Sequence, residues 1–180
     1  MVPLEETFDS TFPFAPHTFD GHGFVQHFVD EGPRGAEPIV CLHGEPTWGY
    51  LYRHMIGPLA VHNRVVVPDH MGFGKSETPQ DREYTLCSHT ENLLALVEHL
   101  DLQDITLVGQ DWGGPIAAAL TVRHPDRIKR IVFANTLAGY GRVDASTVTP
   151  TSESRWFRWI GEGLESGRTA DVLLNLGSTV

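Results

Sequence analysis

Short runs of apolar residues alternate with longer amphipathic stretches along most of this chain, and that alternation predicts its architecture. Residues 17–30 alternate polar and apolar positions around Gly21-His22-Gly23, the pattern of two antiparallel strands joined by a turn. Pro38-Ile39-Val40-Cys41-Leu42 is apolar throughout, as expected of a strand covered on both faces. A helix near 49–59 and a second apolar strand at 64–68 follow. Across 85–100, Leu86, Leu93, Val97 and Leu100 recur at helical spacing with Glu91 and Glu98 on other faces, so an amphipathic helix is expected to cover the sheet. A strand at 105–108, a helix at 115–120 and a strand at 128–134 complete a β-α-β series. This order predicts an α/β protein with a mainly parallel sheet flanked by helices.

The texture changes after Asn135. Residues 136–151 are rich in Gly, Ser and Thr, and 153–160 and 163–176 read as two helices, the first carrying Trp156, Phe157 and Trp159. The expected organisation is a core over residues 1–135 and the beginning of a helical lid, or cap, over 136–180. No later segment returns to the sheet, so the chain reads as a fragment, a truncated reading frame or one portion of a larger protein. An uncovered sheet edge would then favour self-association.

Composition narrows the partners. A chain of 180 residues with a formal net charge of −10 is unsuited to nucleic acid or an anionic membrane, both of which select basic surfaces. No apolar run approaches the length of a membrane span, and the N-terminus lacks a positive start followed by an apolar stretch, so a soluble cytoplasmic protein is expected. Of the two cysteines, Cys41 lies in an apolar strand and Cys87 on the 85–100 helix; both read as buried or half-buried thiols in a reducing compartment. A small substrate is expected, with neither cofactor nor metal.

The candidate chemistry sits at Gly109-Gln110-Asp111-Trp112-Gly113. A buried strand precedes it and a helix follows, which is the strand-turn-helix setting of a nucleophile elbow, here with aspartate in the central position. Small residues at Gly109 and Gly113 let strand and helix pass closely while the central residue is held on a strained turn. An aspartate is already an anion at pH 7, so it can attack carbon without a base to activate it.

Two further motifs agree with this one in order and context: His43-Gly44-Glu45-Pro46-Thr47-Trp48 and Pro68-Asp69-His70-Met71-Gly72-Phe73-Gly74-Lys75-Ser76. Together the three resemble the haloalkane dehalogenases of the α/β-hydrolase superfamily, over about residues 24–135 and more weakly into the lid. Gln-Asp-Trp-Gly-Gly with His-Gly-Glu-Pro-Thr-Trp looks most like the subgroup that binds halide between two tryptophans. The resemblance implies an incomplete α/β-hydrolase fold and hydrolytic dehalogenation of a small halogenated hydrocarbon through an aspartyl alkyl ester. It makes Asp111 the nucleophile and the indole N–H of Trp112 a halide ligand; an indole N–H is a donor with no acceptor to repel an anion. The main-chain N–H groups of Trp112 and Glu45 would form the oxyanion hole. The Glu45 side chain has two open readings, anchoring a water or donor near the halide or bridging its own loop. Trp156 and Trp159 are candidates for the second halide ligand, with packing as the alternative for each.

His43 occupies the His-Gly-x-Pro position of the resemblance and reads as a buried brace of its loop, while Asp69 and Gly72-Phe73-Gly74 read as a loop-shaping turn. Members of the family carry a catalytic acid and a catalytic histidine beyond the lid. All ten histidines of this chain precede it, and His124 ends the elbow helix on the side away from the nucleophile. An epoxide hydrolase is the nearest alternative, sharing an aspartate nucleophile but resembling Gly-His-Asp-Trp and using lid tyrosines, of which 152–180 contains none. A non-catalytic, truncated halide-binding fragment is the other.

Overall fold

The computed structural model describes residues 1–136. Its strands are β1 (His17–Asp20), β2 (Val25–Glu31), β3 (Pro38–Leu42), β4 (Arg64–Pro68), β5 (Ile105–Gln110) and β6 (Ile128–Ala134). Its helices are α1 (Arg53–Ala60), α2 (Leu86–His99) and α3 (Gly113–Arg123), with short 3-10 turns at Gly49–Tyr52 and Pro125–Arg127. The six strands form one sheet in the order β1-β2-β4-β3-β5-β6. β1 and β2 pair antiparallel, as does β2 with β4, whereas β4, β3, β5 and β6 run parallel.

The parallel strands are the most apolar, as expected where helices cover both faces. On one face, Val40, Leu42, Val66 and Leu107 pack against Leu93, Leu96 and Val97 of α2 and Ile116, Ala117 and Leu120 of α3. On the other, Val65, Val67, Cys41 and Val108 pack against Tyr52, Ile56 of α1 and Phe12 from the N-terminal segment. Burial of each such leucine or valine is worth about 1.5–3 kcal/mol, so both layers hold the sheet firmly.

Three departures from the sequence pattern have local causes. The expected 49–59 helix is a 3-10 turn that passes into α1, with the Gly49 N–H donating to Asp69 Oδ1 at 2.8 Å at its start. α2 starts at Leu86 because Thr85 caps it: the Thr85 hydroxyl accepts the Ser88 N–H at 3.1 Å and the Ser88 hydroxyl accepts the Thr85 N–H at 2.9 Å. Cys87, expected to be at least half-buried, is exposed, because the buried stripe of α2 runs through Thr90, Leu93, Leu96 and Val97 and leaves Cys87 on another face. Cys41 is fully buried as expected, and desolvation pushes its thiol up to about 12.

The sheet directs attention to one end. Gly109 of β5 lies opposite Leu42 of β3 and Phe133 of β6, so the C-terminal ends of adjacent parallel strands are level there. The residues just beyond those ends are His43–Glu45 after β3, Asp69 and His70 after β4, and Asp111 and Trp112 after β5. Ligands of open parallel sheets bind in that crevice. β6 pairs only with β5 among the described residues, and its Val132 and Phe133 are exposed. No helix of the described residues is long and apolar enough to cross a membrane. The lid expected over 136–180 lies, beyond Thr136, outside the described residues.

Candidate active site

Asp111 has a φ of +51°, in the left-handed region that side chains other than glycine and asparagine rarely occupy. Its main chain is held on each side: its N–H donates to the Asn135 carbonyl at 3.3 Å, and its own carbonyl accepts from Gly114 N–H at 3.1 Å and from the Thr136 hydroxyl. The small residues predicted around it are required. A Cβ on Gly109 would stand 2.7 Å from the Gly113 carbonyl oxygen, and one on Gly113 would collide with the Leu42 carbonyl. A Cβ on Gly44 would collide with the Asp111 side chain itself.

The Glu45 main-chain N–H donates to Asp111 Oδ1 at 3.0 Å. Oδ1 is thereby tethered, while Oδ2 has no hydrogen-bond partner among the described residues. α3 begins at Gly113, two residues on, so its positive end lies beside the carboxylate. Trp112, at the start of α3, is 51% exposed, and the Glu45 side chain is exposed as well. Gly44, Glu45 and Trp112 form one wall of a cavity of about 360 Å³.

The loop that presents Glu45 is braced from below. His43 is fully buried; its Nε2 accepts the His70 main-chain N–H at 2.9 Å, so Nδ1 carries the proton and donates to the Gly44 carbonyl at 2.9 Å. His70 Nε2–H donates back to the His43 carbonyl at 3.0 Å. Desolvation is the largest cause that lowers the pKa of both rings, so both are neutral at pH 7. The expectation that His43 is a brace agrees with this arrangement. Asp69 accepts from the main-chain N–H groups of Gly49 and Lys75, each at 2.8 Å, and pairs with His27 Nδ1 at 2.9 Å, which makes it the shaper of the loop after β4.

The structure thus brings together Asp111, Trp112 and Glu45. Trp156 and Trp159 lie outside the described residues. His124 ends α3 at the end opposite Trp112, as expected. Sequence reasoning missed the far wall of the cavity, which includes His70, Phe73, Tyr84, Leu86 and His89. One signal was available: Leu86 and His89 lie three apart on one helix and so share a face. Among the described residues no cluster of three or more His, Cys, Asp or Glu could hold a metal.

A strand-turn-helix elbow with a carboxylate at its apex, at the C-terminal edge of a parallel sheet, places the chain in a known class. Residues 37–166 match the family described as "alpha/beta hydrolase fold", and the chain belongs to that family. Within it, the chain is 45% identical over 131 residues to a haloalkane dehalogenase of Mycolicibacterium paratuberculosis, covering 69% of this chain and 44% of that one. It is 42% identical over 156 residues to a haloalkane dehalogenase of Psychrobacter cryohalolentis, covering 79% and 52%. The chain spans about half the length of the curated relatives it matches. Among solved structures, the tetrameric haloalkane dehalogenase DpaA of Paraglaciecola agarilytica superposes with a TM-score of 0.74 at 37% identity, over 86% of this chain and 52% of that one. An epoxide hydrolase from hot-environment metagenomes superposes at 0.65 with 31% identity, over 68% and 42%.

Proposed function

We propose that this chain carries the nucleophile half of a haloalkane dehalogenase active site, in which Asp111 displaces halide from a halogenated hydrocarbon. The observation that carries the reading is the hydrogen bond from Glu45 N–H to Asp111 Oδ1, because it tethers one oxygen and leaves Oδ2 without a hydrogen-bond partner among the described residues. A lone pair of Oδ2 attacks the carbon in line; the C–O bond forms as the carbon–halogen bond breaks, and the bonding pair leaves with the halide. The indole N–H of Trp112 receives that anion, aided by the positive end of α3. Trp156 and Trp159 are retained as candidates for a second halide donor.

The product of this step is an alkyl ester whose carbonyl oxygen is Oδ1, already facing the Glu45 N–H. Water then adds to the ester carbon, the oxyanion forms on Oδ1, and collapse returns the carboxylate and an alcohol. A positioned base that takes the proton of that water contributes typically about 10²–10⁴-fold. The described histidines near Asp111 are poorly suited to that work: both ring nitrogens of His43 are engaged, and His70, which gives its Nε2–H to the His43 carbonyl, has its basicity lowered by burial.

Epoxide opening is the second reading, favoured by the epoxide hydrolase among the structural neighbours. An epoxide oxygen needs a proton donor, and Tyr84 is the tyrosine in the cavity wall. Its hydroxyl donates to the Pro79 carbonyl at 2.8 Å, so it is not free to do this. A halide-binding fragment without turnover is the remaining possibility. Bromide release from a bromoalkane, measured beside diol formation from an epoxide of equal size, separates the readings: dehalogenation predicts the first and not the second. Self-association also belongs to this proposal, supported by Val132 and Phe133, which are exposed on β6 among the described residues. Sedimentation of wild type beside Phe133→Lys tests it.

A further inference from the structure

Two residues just past β6 grip the main chain of Asp111. Its N–H donates to the Asn135 carbonyl at 3.3 Å, and its carbonyl accepts the Thr136 hydroxyl as well as the Gly114 N–H at 3.1 Å. Asn135 has a φ of +45°, a conformation that asparagine tolerates, so the chain turns at the strand end and brings Thr136 against the elbow. The fit is close: a Cβ on Gly114 would collide with the Thr136 side chain, so the glycine in the first turn of α3 leaves the room that Thr136 fills. The Asp111 carbonyl shares one planar trans peptide with the Trp112 N–H, and the two groups point in opposite directions. Thr136 therefore fixes the direction of that N–H. In the sheet, β5 lies between β3 and β6, so a carbonyl drawn toward the residue after β6 turns the N–H toward the β3 side, from which Glu45 N–H reaches Asp111 Oδ1 at 3.0 Å. At the start of a helix such an N–H has no intrahelical acceptor and is available to an anion.

We propose that Thr136 is a positioning residue of this site: its hydroxyl, through the Asp111–Trp112 peptide, aims the Trp112 N–H at the oxyanion that develops on Oδ1. The proposal rests on the chemistry assigned above to Asp111. A second donor matters more after alkylation than during it. While the ester forms, the carboxylate gives up negative charge; attack on the ester carbonyl builds charge on Oδ1, and preorganised donors help most where charge develops. A hydroxyl on the carbonyl also polarises the peptide, which strengthens its N–H as a donor. Thr136 thus acts on opening of the ester and not on its formation. Valine has the shape of threonine without the hydroxyl, and serine keeps the hydroxyl while losing only a methyl group.

The test forms the ester with 1-bromobutane and then opens it with hydroxylamine, a nucleophile that needs no base from the protein. Its nitrogen bonds to Cγ as the carbonyl pair moves onto Oδ1; collapse breaks the Cγ–Oδ2 bond, butan-1-ol leaves with a proton given up by the nitrogen, and a hydroxamate remains at Asp111. Intact mass follows both steps. Thr136→Val should form the ester at the wild-type rate and lose it about tenfold more slowly, since a misaimed oxyanion donor loses part of the about 10²–10³-fold that such a donor supplies. Thr136→Ser should restore ester cleavage. Equal cleavage in wild type and Thr136→Val overturns the proposal, and so does slowing of both steps by the same factor, the mark of a loosened elbow. The residual dipolar coupling of the Trp112 main-chain N–H, which reads the direction of that bond with no substrate present, is the independent arm: it should change in Thr136→Val and return in Thr136→Ser, while couplings in β3 and β5 stay fixed. If wild type forms no ester but the coupling responds in this way, the dehalogenase reading fails and the positioning of Trp112 by Thr136 stands. If the coupling is the same in all three proteins, the positioning is wrong. Thr136→Ala replaces the valine variant in every comparison where circular dichroism shows the latter unfolded.

Discussion

His43 and His70 lock each other: the His70 main-chain N–H donates to the His43 ring, and the His70 ring donates to the His43 carbonyl, at 2.9 and 3.0 Å. The two residues leave the ends of β3 and β4, so the lock ties together the loops that follow adjacent strands. Its consequence reaches Asp111, because Gly44 and Glu45 follow His43 directly and Glu45 supplies the N–H to Oδ1.

Replacing His43 by leucine would remove the acceptor of the His70 N–H and the donor to Gly44, leaving both main-chain groups unpaired in a buried place. Each such loss costs about 1–3 kcal/mol, so His43→Leu should be destabilised by about 2–6 kcal/mol. The urea midpoint of unfolding reads this. A loss below 1 kcal/mol would mean that the brace is dispensable.

The same lock should be sensitive to acid. Both histidines have pKa values lowered in the folded protein from a reference of 6.5, desolvation being the first cause. His89 packs against His70 and is lowered too, while Asp69 and Asp111 act on His43 in the opposite direction. For such groups the unfolded chain binds protons that the native state refuses, so their contribution is fully present above about pH 6.5 and is lost as pH falls below it. Between pH 7.5 and 5.5, wild type should lose more stability than His70→Gln, which has one fewer such group. Equal losses in urea titrations at the two pH values would contradict this.

Asp111→Asn is the direct test of the nucleophile. An amide is a poor nucleophile, so alkyl adduct formation should fall below detection while the fold survives, because the main-chain bonds that hold the elbow do not involve the carboxylate. Intact mass after incubation with a bromoalkane measures the adduct, and circular dichroism checks the fold. An adduct of wild-type yield in the mutant would place the nucleophile elsewhere.

The elbow and the strand boundaries were legible because they are local. β3 and β4 begin and end where the apolar runs do, and Gly109 and Gly113 announce the close passage that their would-be Cβ contacts bear out. The far wall of the cavity was not legible in the same way. His70 meets His43 across 27 positions of sequence, and nothing in either motif says that the rings face each other. His89 reads from sequence as one more polar residue on an amphipathic helix; only the fold brings it to the same cavity as Trp112. Cys87 was misread because the heptad-like pattern of α2 leaves its first turn ambiguous, and Leu86, 39% exposed, was counted as core.

Trp112 makes a spectroscopic prediction. If its indole N–H receives halide, bromide or iodide should quench tryptophan emission saturably, and Trp112→Phe should remove the saturable component while preserving bulk at the cavity wall. The ring is 51% exposed, so a linear collisional component is expected to accompany the saturable one in wild type. A purely linear curve, unchanged in Trp112→Phe, would move the halide site elsewhere.

The last prediction concerns how far the reaction runs in the 180-residue polypeptide itself. Alkylation needs an anionic oxygen, an aligned carbon and a stabilised leaving halide, for which Asp111, Trp112 and the start of α3 suffice in principle. Hydrolysis needs a base beside the ester carbon. His43 has both ring nitrogens bonded, His70 gives Nε2–H to a carbonyl, and burial holds both neutral with lowered basicity. His89 Nδ1 is unpartnered, but its pKa is lowered as well, which weakens it as a proton acceptor. The expected outcome is therefore a burst of at most one halide per chain, leaving an ester on Asp111 that peptide mass mapping finds on the elbow. Halide release against time is the measurement. Sustained turnover would identify a base within these residues, and its loss in His89→Leu but not in His70→Gln would assign that base to His89.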